Sequence, residues 1–362
     1  MRITRRRLLA TTAGAVAVGT TAGCVGGSAG GGSNAGSRTV QSSFFVFGDV
    51  VGTVAGDVAD TGLLVPIGQH GHGWEPGPRV REAIHDASLL VHGPVGFQPW
   101  VDDILGDLEA DGSGVRTVDI STGLDLLAAA DGHDHGDDEE HGEETHHTDS
   151  NEHDEVHEGG PDDEHGAEHT ADHSDEGREE DDHGAEADPH FWMDPVRLGE
   201  SAGTVRDALV DVDSEHADAY ETNAETYRTE LDALDERIET TVSDAERDVL
   251  LVAGHNSLRY FGDRYGVEIE ALTRVSPDDR PTPRDIERAQ EIIEEHGLRY
   301  VCADPLESQR AADQLVEETD AEAVLPLTSM PGLTDEWDAE GWGYRDVMEN
   351  VNLPSIERAL NA

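Results

Sequence analysis

The chain has 362 residues, of which 36% are hydrophobic, enough for one large or two medium domains with real cores. Its formal net charge is −56, and the basic residues are all arginine because the sequence contains no lysine. A chain this acidic will not bind nucleic acid. Its carboxylates are spread along the sequence, as in proteins that stay hydrated at high salt, and attraction of cations is the alternative interpretation.

The first residues have the pattern of an export signal. Residues 4–9 form a twin-arginine pattern, a modest apolar stretch follows, and small residues precede Cys24 as in a lipoprotein processing site. We therefore expect a signal peptide over residues 1–23, lipidation of Cys24 and a flexible tether over residues 24–40. A transmembrane anchor is the alternative, but the apolar stretch is short and rich in Gly and Thr.

Strands and helices are predicted to alternate after the tether. We predict strands over residues 44–49, 63–68, 88–91 and 115–120, and helices over residues 80–87, 99–109 and 196–210. Strands that alternate with helices indicate a parallel α/β sheet. We assign residues 41–212 to this first lobe.

An insertion of different composition interrupts the first lobe at residues 131–187. It alternates histidine with Asp and Glu and holds 11 of the 19 histidines in the chain. It has too few apolar residues to bury a core, so we expect it to be disordered. A low-affinity collector of metal ions, a linker without a role and a folded second site are the three interpretations of this insertion.

A long helix is predicted to join this lobe to a second one. We place it in residues 213–246, with Ser214 as its N-cap. Apolar residues recur there at spacings of three and four, which puts them on one stripe: Ala217, Tyr220, Ala224, Tyr227, Leu231, Leu234 and Ile238. A short coiled coil is the alternative.

Residues 247–362 form the second predicted lobe. Its strands are predicted over residues 249–253, 267–272, 300–303 and 323–327. A helix begins at Pro283 and runs to His296, before Gly297. The predicted fold class is α/β: two lobes with parallel sheets, joined by one long rigid helix.

Three histidines lie where ligands bind in such folds. His72 follows the strand predicted over residues 63–68, His255 follows the strand at 249–253, and His190 lies in the Pro-bounded segment 188–195. Open parallel sheets bind ligands outside the carboxyl ends of their strands, so we predict a shared metal ion in the cleft between the lobes. Three neutral imidazoles suit Zn²⁺, with a fourth position for water or a carboxylate.

The other histidines and the cysteines have no comparable positions. His70 is a further candidate, but it is separated from His72 by one residue only, and we expect it to point elsewhere. We interpret the remaining histidines of the folded lobes as structural or exposed, namely His85, His92, His216 and His296. Cys302 lies in a buried-strand pattern, so a cysteine-based metal site is not expected.

Several segments together resemble the zinc-type (cluster A-I) solute-binding lipoproteins of metal ABC transporters. The segments are residues 71–76 around His72, residues 188–192 around His190, residues 255–267 from His255 onward, and the terminal residues 343–353. The resemblance covers most of residues 41–362. It implies that His72, His190 and His255 are metal ligands, and the family's acidic, histidine-rich insertion corresponds to residues 131–187.

Two details of the site refine this resemblance. Members of the family that prefer manganese have a carboxylate at the third ligand position, so His255 favours zinc. The family's fourth-ligand aspartate falls near residues 327–329, where this chain has no acidic residue. The fourth donor is therefore expected to be water or a carboxylate that the sequence does not identify.

The resemblance implies capture and delivery of a metal ion, without catalysis. We expect a monomer from a halophilic archaeon, lipid-anchored on the extracellular face of the cytoplasmic membrane, that delivers Zn²⁺ to an ABC permease and its ATPase. Mn²⁺ and Fe²⁺ are alternatives as cargo. The alternative functions are a surface adhesin or metal buffer without a transporter, and a zinc-dependent hydrolase, which needs a general base that no motif here supplies.

Overall fold

The computed structural model describes residues 39–69, 74–129, 187–276 and 279–361. The signal peptide, Cys24 and most of the predicted tether lie outside the described residues, as does most of the insertion. Ala187, the last residue of the insertion predicted to be disordered, instead pairs with Ala128 in an antiparallel bridge. In the described part of the chain, no helix combines the length and the apolar character needed to cross a membrane.

The first lobe is built on a four-stranded parallel sheet. Its strands are β1 (Thr39–Ser42), β2 (Asp60–Leu63), β3 (Leu89–His92) and β4 (Arg116–Asp119). Their order in the sheet is β2-β1-β3-β4. The helices of this lobe are α1 (Phe45–Ala55), α2 (Pro78–His85), α3 (Pro99–Ala110) and α4 (Pro195–Val212).

Residues 44–49 are not a strand, so the prediction for them was wrong. The first strand is β1, which begins at Thr39 inside the predicted tether, and the apolar run that follows opens helix α1. Val46, Val50 and Val54 are all fully buried at the four-residue spacing of a helix. A short apolar run fits a buried strand or a buried helix equally well, and here the helix forms.

The second predicted strand also differs from the structure. Strand β2 ends at Leu63, and residues 64–69 form a loop rather than a strand. The backbone N–H of Leu64 still donates to the carbonyl of Ser42 at 2.9 Å. Pro66 then lacks an N–H and does not continue the ladder. His72 therefore follows a loop, not the end of a strand.

The long helix α5 (Ala217–Ser243) has 27 residues and follows α4. A 3-10 turn over Ser214–His216 precedes it, so Ser214 is not its N-cap as predicted. The predicted apolar stripe is confirmed, because six of its seven members are buried: Tyr220, Ala224, Tyr227, Leu231, Leu234 and Ile238. This stripe packs against α1 and α4.

The second lobe repeats the architecture of the first. Its strands are β5 (Val249–His255), β6 (Glu268–Thr273), β7 (Tyr300–Ala303) and β8 (Ala323–Pro326). All pair in parallel in the order β6-β5-β7-β8. Its helices are α6 (Arg259–Tyr265), α7 (Pro283–His296), α8 (Arg310–Glu318), α9 (Asp335–Glu340), α10 (Tyr344–Val347) and α11 (Leu353–Leu360).

One hydrophobic core extends across both lobes. It joins side chains of α1 and α5 to side chains of β5 and β7, such as Val252 and Cys302. Asp49 of α1 lies at this junction. Its carboxylate accepts from the hydroxyl of Tyr227 in α5 at 3.0 Å. A Cβ atom on Gly343 of the second lobe would collide with the same carboxylate. Burial raises the pKa of the Asp49 carboxyl. The predicted fold class of two parallel α/β lobes with a helical linker is confirmed.

Candidate metal centre

His190 lies on a short segment that is fixed on both sides. Before it, the backbone N–H of Asp188 donates to the carbonyl of Leu127 at 2.8 Å. After it, Asp194 caps helix α4, and its side chain accepts from the backbone N–H of Val196 at 2.9 Å. The segment that carries His190 is therefore held by hydrogen bonds on both sides.

Trp192, two residues after His190, places this segment above the first sheet. Its ring centroid lies 5.0 Å from that of Phe44 in the loop after β1, and 5.5 Å from that of Phe97 in the loop after β3. Strands β1 and β3 are the neighbours between which the strand order of this sheet reverses. The crevice at such a reversal is where open α/β sheets bind ligands, and His190 lies beside it.

His255 occupies the corresponding place in the second lobe. It is the last residue of β5, and Glu307 lies in the loop after β7, the neighbouring strand across the reversal point of the second sheet. The Nδ1 atom of His255 lies 3.2 Å from Oε1 of Glu307. This pairing brings a carboxylate and a histidine together from residues far apart in the sequence.

The two histidines meet between the lobes. The ring centroids of His190 and His255 are 5.3 Å apart, and the Nε2 atoms of both rings are buried. The Nδ1 atom of His190 lies 2.9 Å from Oδ1 of Asp188, so each ring has a carboxylate at Nδ1. Such a carboxylate holds the proton on Nδ1 and leaves the Nε2 lone pair for a metal ion, the arrangement typical of zinc-bound histidines. The two side chains therefore fit Zn²⁺.

Residues of the second lobe also support Asp188. Nη1 of Arg259 lies 3.3 Å from Oδ2 of Asp188 and donates to the carbonyl of Ala128 at 2.7 Å. The hydroxyl of Tyr260 donates to the carbonyl of Asp188 at 2.7 Å and accepts from the N–H of Leu127 at 2.9 Å. Burial is the main cause that raises the pKa of Tyr260 to about 12. The first turn of α6 thus holds both chain ends that flank the histidine-rich insertion.

The third predicted ligand cannot be placed beside these two. His72 and His70 lie outside the described residues. Within the described ranges, no group of three or more His, Cys, Asp and Glu side chains could hold a metal ion. The loop that leads to His72 does reach this region, since Gly68 and Gln69 line a groove of about 1690 Å³ together with His255 and Glu307.

Besides Asp188, two acidic residues from the loop after β7 lie at this site, Asp304 and Glu307. Asp304 lines the same small cavity as His255, but its Oδ2 accepts from the hydroxyl of Thr328 at 2.6 Å and from the N–H of Ser329 at 3.2 Å. The sequence interpretation missed both Asp304 and Glu307. A signal was available, because both acids follow a predicted strand within four residues, which places them at the carboxyl edge of the sheet.

The other four described histidines make different contacts. Nδ1 of His92 lies 2.7 Å from the carbonyl of Gly93, and Nδ1 of His216 lies 2.7 Å from Asp213. His85 is exposed, and His296 lies in the last turn of α7. Cys302 is fully buried, as its strand pattern predicted.

Comparison with known proteins identifies the family. Residues 40–359 match the family described as zinc-uptake complex component A, periplasmic, or ZnuA. The chain belongs to this family, which is one of solute-binding proteins and not of enzymes. The predicted function as the zinc-binding component of a high-affinity zinc-uptake system is confirmed at this level.

Individual relatives are similar over most of the chain. The high-affinity zinc uptake system protein ZnuA of Bacillus subtilis strain 168 is 26% identical over 322 residues, which cover 89% of this chain and 87% of that protein. The zinc-binding lipoprotein AdcA of Streptococcus pneumoniae serotype 4 is also 26% identical over 322 residues, 89% of this chain. This chain spans 56% of the length of that AdcA, which is the longer protein.

Solved structures show the same fold. The Zn(II)-bound ZnuA-like domain of Streptococcus pneumoniae AdcA superposes with a TM-score of 0.66 at 23% identity, covering 90% of this chain and all 100% of that domain. The laminin binding protein of Streptococcus agalactiae, described as bifunctional with adhesin and metal transporting activity, gives a TM-score of 0.66 at 20% identity, covering 90% of this chain and 99% of that one.

Proposed function

We propose that this chain captures Zn²⁺ outside the cytoplasm, in the cleft between its lobes, and delivers it to the permease of an ABC transporter. His72, His190 and His255 are the proposed ligands. The observation that supports this proposal is the meeting of His190 and His255 from the two lobes, 5.3 Å apart between ring centroids. Each has a carboxylate at Nδ1, as in zinc sites.

The partners and the location follow from the family and from the N-terminal sequence. Proteins of this family work with an ABC permease and its ATPase, and relatives include extracytoplasmic zinc-binding lipoproteins. We propose that twin-arginine export and lipidation of Cys24 anchor this chain as a monomer on the outer face of the membrane. The high acidity fits a halophilic archaeal source, and the proposed role of residues 131–187 is to collect metal ions near the cleft.

Release of the ion should need only small movements of the lobes. A single hydrophobic core joins them, and the 27-residue helix α5 contributes six buried side chains to that core. A wide hinge opening would expose this apolar surface to water. We therefore propose small tilts of one lobe against the other during binding and delivery.

Titration with Zn²⁺ against a chromophoric chelator tests the proposed ligands. We expect His72→Ala, His190→Ala and His255→Ala each to weaken binding by more than about 100-fold, since even residues that only support a ligand contribute about 10- to 100-fold. His85→Ala is the matched control, because His85 is exposed on α2. Zinc binding of undiminished affinity in all three cleft variants would refute the proposal.

Metal content decides the identity of the cargo. Three neutral imidazoles favour Zn²⁺, whereas sites for Mn²⁺ are richer in oxygen ligands. Protein purified without added metal should therefore contain zinc. It should also retain zinc when excess Mn²⁺ or Fe²⁺ competes, and displacement by either ion at equal concentration would contradict zinc as the cargo.

A further inference from the structure

Residues 327–333, which follow strand β8, form a segment with an unusual combination of properties. All of these residues are buried, although none of them belongs to a helix or a strand. Loops normally run over the protein surface, because buried backbone N–H and C=O groups need partners. We refer to these residues as the bridging segment, and its hydrogen bonds show what it connects.

The beginning of the bridging segment is fixed to the second lobe. The N–H of Thr328 donates to Oδ1 of Asn352 at 2.9 Å, and Nδ2 of Asn352 donates back to the carbonyl of Thr328 at 2.8 Å. The hydroxyl of Thr328 donates to Asp304 at 2.6 Å and accepts from the N–H of Met330 at 2.8 Å. These bonds give the segment a defined position relative to the loop after β7.

Two carbonyls of the bridging segment contact the first lobe. The carbonyl of Ser329 accepts from Nε1 of Trp192 at 2.8 Å, two residues after His190. The carbonyl of Leu333 accepts from the N–H of Gly68 at 2.9 Å, in the loop that leads to residues 70–73. Met330 lies between these two residues and is fully buried, with a φ of 58°. This backbone conformation is unfavourable for a residue other than glycine, so the contacts around Met330 must stabilise it.

Gly332 also lies against this loop. A Cβ atom on Gly332 would lie 2.7 Å from the backbone oxygen of Gln69, a distance that real Cβ atoms do not adopt. Gly332 does not have a positive φ, so an alanine would fit its backbone conformation. The close approach is therefore the reason for a glycine at this position.

We propose that Gly332 is a positioning residue of the metal centre. Because it has no side chain, the loop over residues 64–69 can lie against the second lobe, and this contact fixes how closely the loop approaches His255 and Glu307 in the groove they line together. The same segment holds Trp192, so it sets the loop and the His190 segment relative to one another. This inference rests on the proposed function, with zinc bound in the cleft.

The direct test is the zinc affinity of Gly332→Ala, measured with Zn²⁺ alone against a chelator. The added methyl group must displace the backbone of Gln69, and we expect binding to weaken by about 10-fold, the lower range for a residue that supports a metal ligand. Gly106→Ala is the matched control, because nothing lies within 4 Å of a Cβ at that position in α3. Unchanged zinc affinity in Gly332→Ala would overturn the inference.

A double-variant comparison separates positioning from a general loss of stability. If Gly332 acts through the loop, Gly332→Ala should weaken zinc binding about 10-fold in the wild-type background and have little further effect once His72→Ala is present. Equal losses in both backgrounds would mean that the glycine acts on stability alone, and the inference would be wrong.

A measurement on the unmodified protein covers the case in which Gly332→Ala does not fold. The N–H of Gly68 bonds to Leu333, so its hydrogen exchange should slow further when zinc binds. Equal exchange rates with and without zinc would also overturn the inference. If His190→Ala and His255→Ala kept full zinc affinity, the proposed function itself would be wrong. If these two variants lost zinc affinity while Gly332→Ala kept it, the proposed function would stand and only the role of Gly332 would be wrong.

Discussion

Replacing Asp188 by asparagine removes one negative charge beside His190 and keeps the size of the side chain. Oδ1 of Asp188 faces Nδ1 of His190 at 2.9 Å and its backbone N–H at 3.0 Å, and the side chain is fully buried. The oxygen of an asparagine accepts the same two bonds, so the ring keeps its orientation. Arg259 loses the carboxylate partner but keeps its bond to the carbonyl of Ala128 at 2.7 Å.

The size of the effect follows from the kind of hydrogen bond that is lost. A hydrogen bond to a charged group contributes about 1.5–3 kcal/mol, and one between neutral groups about 0.5–1.5 kcal/mol. The difference of roughly 1–1.5 kcal/mol acts on zinc binding, because the carboxylate stabilises the positive charge that the bound ring acquires. Since about 1.4 kcal/mol corresponds to tenfold in affinity, we expect Asp188→Asn to bind zinc about 10-fold more weakly.

The assay is a competitive zinc titration at pH 7.5. Glu307→Gln is the companion variant, and its effect should be smaller, because the contact to His255 is longer, at 3.2 Å, and the Glu307 side chain is 25% exposed. The thermal midpoints of the metal-free proteins show whether either variant is merely unstable. Wild-type zinc affinity in Asp188→Asn, or a larger loss in Glu307→Gln, would refute this reasoning.

Two further predictions concern groups away from the metal centre. Burial raises the pKa of Asp49 above its ordinary 3.8, so the folded protein holds this proton more tightly than the unfolded chain does. The free energy of unfolding should therefore fall as the pH rises from the pKa of Asp49 in the unfolded chain to its higher pKa in the folded protein. In denaturant titrations from pH 4 to 7, Asp49→Asn should lessen this fall in the free energy of unfolding. The control, Asp103→Asn on the exposed face of α3, should leave the fall unchanged, and an identical pH dependence in both variants would contradict the prediction. Burial raises the pKa of the Cys302 thiol to about 12. In Cys24→Ser protein, where Cys302 is the remaining cysteine, this thiol should therefore react with a disulfide reagent only after unfolding. Rapid reaction of the folded protein would contradict its burial.

The strands of the second lobe and its helix α7 could be predicted because their signals are local. Helix α7 begins after Thr282, which forms a capping box with Asp285, has Pro283 in its first turn, and ends at Gly297 with φ 58°. Thr282, Asp285 and Gly297 bond to backbone groups within one turn, and Pro283 fixes its own φ, so these signals are local in the sequence. The stripe of α5 is similarly local, since it needs only a repeated spacing.

The errors in the first lobe have a common physical origin. Residues 44–49 and 63–68 are short and mainly apolar, and what distinguishes a strand from a helix or a loop there is the part of the protein against which each segment packs. Strand β1 occupies the central position between β2 and β3, and α1 is then buried against the sheet, α4 and α5. Whether such a segment forms a strand, a helix or a loop therefore depends on tertiary packing, which cannot be read from a short stretch of sequence. The valines at 46, 50 and 54 were the one available sign of the helix.

The candidate site shows the same division between local and distant information. His190 could be selected from the sequence because Pro189 and Pro195 flank it, whereas the support for His255 depends on the neighbour of β5 in its sheet. Strand β7 is that neighbour, and it brings Glu307 to Nδ1 of His255 across a separation of more than fifty residues. A parallel sheet is always assembled from such distant segments, because each crossover places the next strand many residues further along the chain. Candidate ligands that end a strand can therefore be predicted one by one, while the carboxylates beside them become visible only when the strand order is known.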